Sequence, residues 1–447
     1  MSVSVLVAAA CAGVLMSPSP AGAARIPEGG SGARAASGAV DDPGAAFWAK
    51  HERVGEVADA LVAASRKQAR QGGYAGLVTA PEKSSITLYW KGRVPAQVRA
   101  AMKSDRRVAV RTVSAPYTEH QLKAARDRVV RQRAALPGRL TSAGPSPDGK
   151  GLLIGMAPER GKTAAARKAA IARDVTGITG GVAVAAVSYS SPAPAVGKAS
   201  DDTAPAGVRA TGRNAQQAYG GAKWQTRSGG SCSTGFSVRY SGSTTNRMTS
   251  AAHCGSVGGA AHSPERPSSY PFGRIETLRH NRDVGVMKAE QNGANSFFQP
   301  AIWWGPWVGN PSGQTTRRVA GVHNNHVGQH VCGSGAPSGT TCGIRIDATG
   351  QTIRLNGFPD VEQAVQVSKP TGQPVWGNGD SGGPVVQPSS LGVAYANGII
   401  SALSSSSSNS APCQGAPAAG SRKCSSVGWY AAFDSFLSYE GLNLLTQ

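Results

Sequence analysis

Two patterns of apolar and polar positions divide the chain. From about Asp41 to Tyr189, helical and strand periods alternate. Phe47, Val54, Val57, Leu61 and Val62 recur at helical spacing. Asp41 and Asp42 suit a cap and Pro43 a first turn, so a helix is predicted there. Ser85–Trp90 alternates as a strand, Pro95 opens a helix to about Lys103, and Val108–Val110 alternates again. A long basic helix is predicted from Thr118 to Leu136. A second strand–helix–strand unit then runs through Leu152–Met156, Thr163–Ala172 and Val182–Tyr189. One structural unit used twice, in an α/β region, is the expectation.

Residues 190–222 are rich in Ser, Pro, Ala and Gly with little periodicity, and read as a linker. Beyond it helical patterns vanish and short apolar runs alternate with turn residues. Phe236–Tyr240, Asp283–Lys288, Arg318–Val322, Ile344–Ile346, Val365–Val367, Pro384–Val386 and Gly398–Ile400 are candidate strands. That spacing predicts an all-β barrel or sandwich. A short helix is expected near Tyr430–Tyr439, and Ser404–Ser408 reads as a loop tip.

Composition sharpens the division. The 447 residues are 40% hydrophobic and 16% charged, with a formal charge of +21. The positive charges are scattered among alanines on helical stretches, without the aromatic or zinc-finger patterns of nucleic-acid readers. They read as solvated faces, so no nucleic-acid partner is expected. Val3–Met16 is apolar but short for a bilayer, and Ala21-Gly22-Ala23 follows, so residues 1–24 are expected to be a signal peptide and the product to be secreted, with no membrane partner. Cys11 falls in that segment. The other six cysteines all follow residue 231, which predicts a disulfide framework. Their spacing suggests local pairs, Cys232–Cys254, Cys332–Cys342 and Cys413–Cys424. No Cys-x-x-Cys spacing occurs, and no metal or cofactor is expected. His323, His326 and His330 are too unevenly spaced to suggest one.

The candidate chemistry centres on Gly377-Asn378-Gly379-Asp380-Ser381-Gly382-Gly383-Pro384. Glycine at this density allows positive φ and close backbone approach. A serine on such a turn presents its Oγ while neighbouring N–H groups converge on one spot, as acyl transfer requires. Upstream, His253 lies in Thr249-Ser250-Ala251-Ala252-His253-Cys254, beside a cysteine that can anchor it, and suits a general base. Asp283 opens the apolar run Val284–Met287, where a buried carboxylate can hold an imidazole's tautomer. The order His, Asp, Ser is that of chymotrypsin rather than subtilisin.

With these motifs the chain resembles secreted bacterial chymotrypsin-fold serine peptidases of the streptogrisin and α-lytic protease type. The resemblance rests on Thr249–Cys254, Asp283–Met287, Val331–Gly335 with Thr341–Gly343, and Gly379–Pro384, and covers about residues 220–440. It implies a mainly-β protein, a double β-barrel preceded by an α/β pro-region. The expected boundaries are 25–189 for the pro-region (structured from 41), 190–222 for a linker with the processing site, and 223–447 for the peptidase. Ala75–Val78, Ile86–Lys91 and Val94–Ala100 look, more loosely, like pro-region segments. The resemblance also implies roles. His253 would be general base and then acid, Asp283 its orienter, Ser381 the nucleophile, and the Gly379 and Ser381 N–H groups the oxyanion hole. Ser401, Ala402 and Leu403 would line the strand that pairs with a peptide substrate. Cys232–Cys254 would staple the histidine loop and Cys332–Cys342 a hairpin of the second barrel.

Two departures from that pattern set further expectations. Leu403 stands where the family commonly has glycine, and is expected to narrow the primary pocket or disturb pairing. The basic partner usual for the acid beside the nucleophile is displaced, and Arg345 is the candidate substitute for Asp380. Val375 and Trp376 near the pocket base, with no acid among them, favour apolar or aromatic side chains. A monomer is expected, with its own pro-region as folding partner and inhibitor, and a cut between about Ser200 and Lys223. Two rival readings remain from the sequence: a catalytically silent relative used as a binding module, and a charge-driven binder of anionic polymer.

Overall fold

The computed structural model describes residues 42–66, 73–158, 164–198, 213, 217–264, 271–290, 296–310, 312–416 and 422–447. The expected signal peptide and Cys11 lie outside these residues. Among the described residues no helix is long and apolar enough to cross a membrane.

The N-terminal region is built from one unit repeated, and the unit is longer than its strand–helix–strand part. The first copy runs α1 (Ala45–Arg66), β1 (Tyr74–Ala80), β2 (Ser85–Trp90), α2 (Ala96–Ala101) and β3 (Ala109–Ser114). The second runs α3 (Glu119–Arg131), β4 (Leu140–Pro145), β5 (Leu152–Met156), α4 (Ala164–Thr179) and β6 (Val184–Tyr189). In each, an antiparallel hairpin is followed by a parallel crossover, β2 to β3 and β5 to β6. Local chemistry explains the boundaries. Asp42 accepts from Gly44 N–H and from the Trp48 indole at 2.7 Å, fixing the entry to α1. Thr118 and Gln121 form a capping box that starts α3. Each copy has its own apolar core, Val54, Leu61, Leu88, Trp90 and Val98 in one, Leu122, Val129, Leu152, Ile154 and Val175 in the other.

The C-terminal half is β, as expected. Six antiparallel strands form one sheet, in the order Ala260–Ala261, Gly273–Arg279, Val284–Ala289, Arg247–Ser250, Ser237–Tyr240 and Leu442–Leu444. The second β-unit is larger because the N-terminal region contributes to it. Its long strand Gly339–Arg354 pairs with His330–Gly335 and Asp360–Ser368, and also with β4, at Thr352 opposite Ala143 and Ile353 opposite Ser142. The expected C-terminal helix starts later than its apolar pattern suggests. Val427–Ala432 is a strand between Ala394–Ser404 and Asp360–Ser368, and the helix is Phe433–Glu440.

Side chains tie the N-terminal region to the β-half along much of α1. Asp42 meets Arg317 at 2.8 Å, Asp59 meets His326 at 2.6 Å, Glu52 accepts from Ser390 Oγ at 2.8 Å, and His51 lies 3.0 Å from His330. The described part of the stretch read as a linker holds two strands, β7 (Pro192–Pro194) and β8 (Gly197–Lys198).

Candidate active site

His253, Asp283 and Ser381 come from both β-units and meet. His253 sits on the one-turn helix Ala252–Cys254 that ends the Arg247–Ser250 strand, and Cys232–Cys254 anchors that turn. Asp283 follows the turn His280–Arg282 at φ 47°, a left-handed conformation that Asp tolerates better than most residues. Its carboxylate reaches His253 Nδ1 at 2.8 and 2.9 Å and accepts the His253 backbone N–H at 3.1 Å. Because a carboxylate only accepts, Nδ1 carries the proton and Nε2 offers its lone pair. Nε2 lies 2.8 Å from Ser381 Oγ, the geometry of a base poised over a hydroxyl. Ser401 Oγ donates a further short hydrogen bond to Asp283 Oδ2. Asp283 and Ser381 are almost sealed from solvent, and the Phe358 ring stands edge-on to the imidazole.

The Ser381 loop is fixed from beneath. Gly379 and Gly382 take φ of 92° and 85°, open only to glycine without strain. A Cβ at Gly382 would lie 2.2 Å from Ser250 Oγ. Ser233, next to Cys232, donates twice to the loop: its N–H to Ser381 O at 2.7 Å and its Oγ to Gly379 O at 2.9 Å.

Asp380 is fully buried and its partner is not Arg345, which pairs with Asp347. Its carboxylate accepts from Gly377 N–H at 2.7 Å, Ser338 N–H at 3.0 Å and Ser338 Oγ at 2.5 Å, and Arg422 Nη2 approaches to 3.5 Å. The rest of the Arg422 guanidinium is spent on the carbonyls of Asn378, Gln414 and Ala416. Arg422 lies two residues before Cys424, so the Cys413–Cys424 bond fixes the loop that carries it. Cys332–Cys342 closes the neighbouring hairpin. Gly335 leaves no room for a side chain, since a Cβ there would meet Asp380 Oδ1 at 2.1 Å. Arg422, Ser338 and Ser233 carry no motif of their own. The disulfide spacing of Cys424 is the nearest sequence signal to Arg422.

The strand expected to meet a peptide already has one. β7 pairs antiparallel with it, Ala402 opposite Pro194 and Leu403 opposite Ala193. Leu403 therefore leaves the pairing intact, with its side chain buried in the same apolar cluster as Ala195. Ala195 N–H donates to Ser401 O at 3.3 Å, and Ala195 O accepts from Gly379 N–H at 2.6 Å. Val196 O accepts from Asn378 Nδ2 at 2.9 Å, and β8 then pairs with Gly230–Ser231.

Among the described residues, His51, Glu82 and His330 bring three donor atoms within 4.8 Å of one another, a set able to meet a cation. They belong to the contact between α1 and the second β-unit. His323 and His326 do not join them: His326 is engaged by Asp59 and His323 lies against the Tyr395 ring.

No family model and no curated protein matches the chain. Among solved structures, the chain is similar to a protease A of Thermobifida fusca, at 24% identity over 51% of this chain and 98% of that one, TM-score 0.37. It is similar also to a chymotrypsin of Cellulomonas bogoriensis, 21% over 52% and 99%, TM-score 0.35. A glutamic acid specific serine protease aligns at 22% over 51% and 100%, TM-score 0.36.

Proposed function

We propose that the chain is a serine endopeptidase made as a zymogen. The observation that carries this is a single line of contacts, from Asp283 to His253 Nδ1, from His253 Nε2 to Ser381 Oγ, with a peptide carbonyl on the Gly379 N–H beside it. In this reading Ser381 attacks a peptide carbonyl while His253 takes its proton and later returns it to the leaving nitrogen. Asp283 holds the tautomer and balances the imidazolium. The Gly379 and Ser381 N–H groups stabilise the oxyanion, a contribution worth about 10²–10³ in rate per donor. Ser401–Leu403 pair with the peptide. No cofactor or metal enters this chemistry. The product is secreted and acts as a monomer on protein or peptide, with no nucleic-acid or membrane partner.

Residues 25–189 serve as the pro-region. The β-half joins strands distant in sequence, a topology that folds slowly, and a protease gains from a high unfolding barrier that shields it from its own cleavage. A partner that adds β4 to the Gly339–Arg354 strand, and whose following segment Pro192–Ala195 lies in the cleft, supports both needs, folding and inhibition.

The test is covalent labelling by a fluorophosphonate probe after residues 192–198 have been displaced or cut. Labelling of wild-type protein at Ser381, absent in Ser381→Ala, is expected. A properly folded, processed protein that takes no label would be a binding module and not a peptidase.

A further inference from the structure

We infer that residues 192–198 are this site's first substrate: the chain is cut by its own Ser381 between Ala195 and Val196, and the subsite that holds Ala195 takes only a small side chain. The inference rests on the peptidase reading above and deepens it.

The segment is held on both sides of one bond. Upstream, Pro192–Pro194 forms an antiparallel ladder with Leu403 and its neighbours, and Ala195 N–H continues it to Ser401 O. Downstream, Gly197 stands opposite Ser231 and Lys198 opposite Gly230. Between the two ladders, the Ala195 carbonyl oxygen rests 2.6 Å from Gly379 N–H. A chain that merely covered the site would have no reason to direct that one carbonyl at that donor. Ser381 Oγ, bonded to His253 Nε2, is in the same loop two residues on.

The sequence of the segment fits its register. Proline lacks an N–H and is tolerated in a strand only where none is called for. Pro192 and Pro194 alternate with Ala193 and Ala195, and it is Ala195 that donates to Ser401 while Ala193 stands opposite Leu403. The prolines also hold the chain extended beforehand, which lowers the cost of ordering it in the cleft.

The pocket argument concerns Ala195, which is fully buried. Its methyl packs in a cluster with Val375, Trp376, Ile400 and Leu403. The Trp376 indole is pinned by its Nε1–H to Ala402 O at 2.8 Å, and a Cβ on Gly428 would come within 2.5 Å of the ring. A pinned indole and a buried leucine leave room for a methyl but not for the aromatic side chain that the apolar lining alone suggested.

The step balances without any added reagent but water. Ser381 Oγ bonds to the Ala195 carbonyl carbon as its proton passes to His253 Nε2. The bond from that carbon to Val196 N breaks, and His253 gives the proton to the departing nitrogen. Water then hydrolyses the ester, leaving a carboxylate on Ala195, an amine on Val196 and Ser381 restored. The cut thus lies upstream of the Ser200–Lys223 interval expected from composition.

The experiment uses the full chain as wild type, Ser381→Ala and Ala195→Phe, followed by amino-terminal sequencing, intact mass and hydrolysis of Pro-Ala-Pro-X anilides. Wild type is expected to yield a product beginning at Val196, Ser381→Ala to stay whole, and Ala195→Phe to be cut at least about 100-fold more slowly. Among the anilides X = Ala should exceed X = Phe by about the same factor, with Trp376→Ala reversing the order. A wild-type protein that hydrolyses peptides yet keeps the Ala195–Val196 bond, a Ser381→Ala chain cut there at the wild-type rate, or a preference for Phe would overturn the inference while leaving the peptidase reading intact. Absence of all hydrolysis and of probe labelling would instead remove that reading itself.

Discussion

Arg422 and Asp380 lie 3.5 Å apart with neither side chain reached by solvent, and both are bound to Ser338 Oγ. The acid beside Ser381 therefore draws charge balance from a loop 42 residues away in sequence, with the buried Arg213 guanidinium also acting on it. Removing one member of a buried pair leaves the other charged and unpaired, at a cost of about 3–5 kcal/mol. Arg422→Met should lower stability by that order and disorder the Gly377–Gly383 loop. Denaturant unfolding and probe labelling at Ser381 check it, and Arg422→Lys should restore only part of either.

Asp283→Asn should leave the fold in place and abolish most of the activity. Asparagine can present an N–H to Nδ1, which turns the imidazole to the other tautomer and puts a proton on Nε2, where Ser381 needs a lone pair. The same exchange in a Ser-His-Asp triad costs about 10⁴-fold in kcat. Steady-state kinetics on the processed protein should show that loss in kcat with KM little changed.

Ser401→Ala separates two jobs done by one residue. Its carbonyl, which meets Ala195 N–H, is untouched, whereas the hydroxyl that donates to Asp283 is lost. A hydrogen bond to a buried charge contributes about 1.5–3 kcal/mol. Between about 10- and 100-fold should therefore disappear from kcat, while KM for an extended peptide holds. A rise in KM with kcat unchanged would contradict this division.

Acid should loosen α1 from the β-half. Burial, opposed by the Phe47 carbonyl, lowers the pKa of His51 from 6.5 to about 4, and burial lowers those of His323 and His330 as well. Glu82 faces His51 and His330 and opposes the shift, without cancelling it. A group neutral in the folded state and protonated in the unfolded one stabilises fully above pH 6.5, and that contribution drains away as pH falls toward 4. For His51 alone it amounts to on the order of 3 kcal/mol. Unfolding of the uncut Ser381→Ala chain, followed from pH 7.5 to 4.5 with and without His51→Gln, should show a steeper acid loss where His51 is present.

Much of the site was legible because its chemistry is written in short motifs. His253, Asp283 and Ser381 each sit in a local run that fixes their backbone, and the three cysteine pairs are close in sequence. What escaped was written across distance or against pattern. β4, Leu140–Pro145, is buried at every position, so it shows no alternation, and β1 has Gly76 in its middle. The opening strand of each hairpin therefore leaves no clean alternation in the sequence, whereas the crossovers after them leave a readable pattern. Arg422 is distant in sequence from Asp380, whereas Arg345, close to Cys342 in sequence, pairs with Asp347. Pro192–Lys198 has the composition of a linker, and only the strand opposite it makes it a ladder.

The pairing of β4 with Gly339–Arg354 has one more consequence. A covalent link between the two halves of the molecule is not what keeps them together. Their backbone ladder, the ion pairs of Asp42 and Asp59 and the contacts of α1 all survive a break at residue 195, and so does the ladder of Pro192–Pro194 on Leu403. A broken chain would first be a tight two-piece complex with its own product in the cleft. Activity would then appear on the clock of dissociation, sensitive to dilution and to acid, rather than on the clock of bond cleavage.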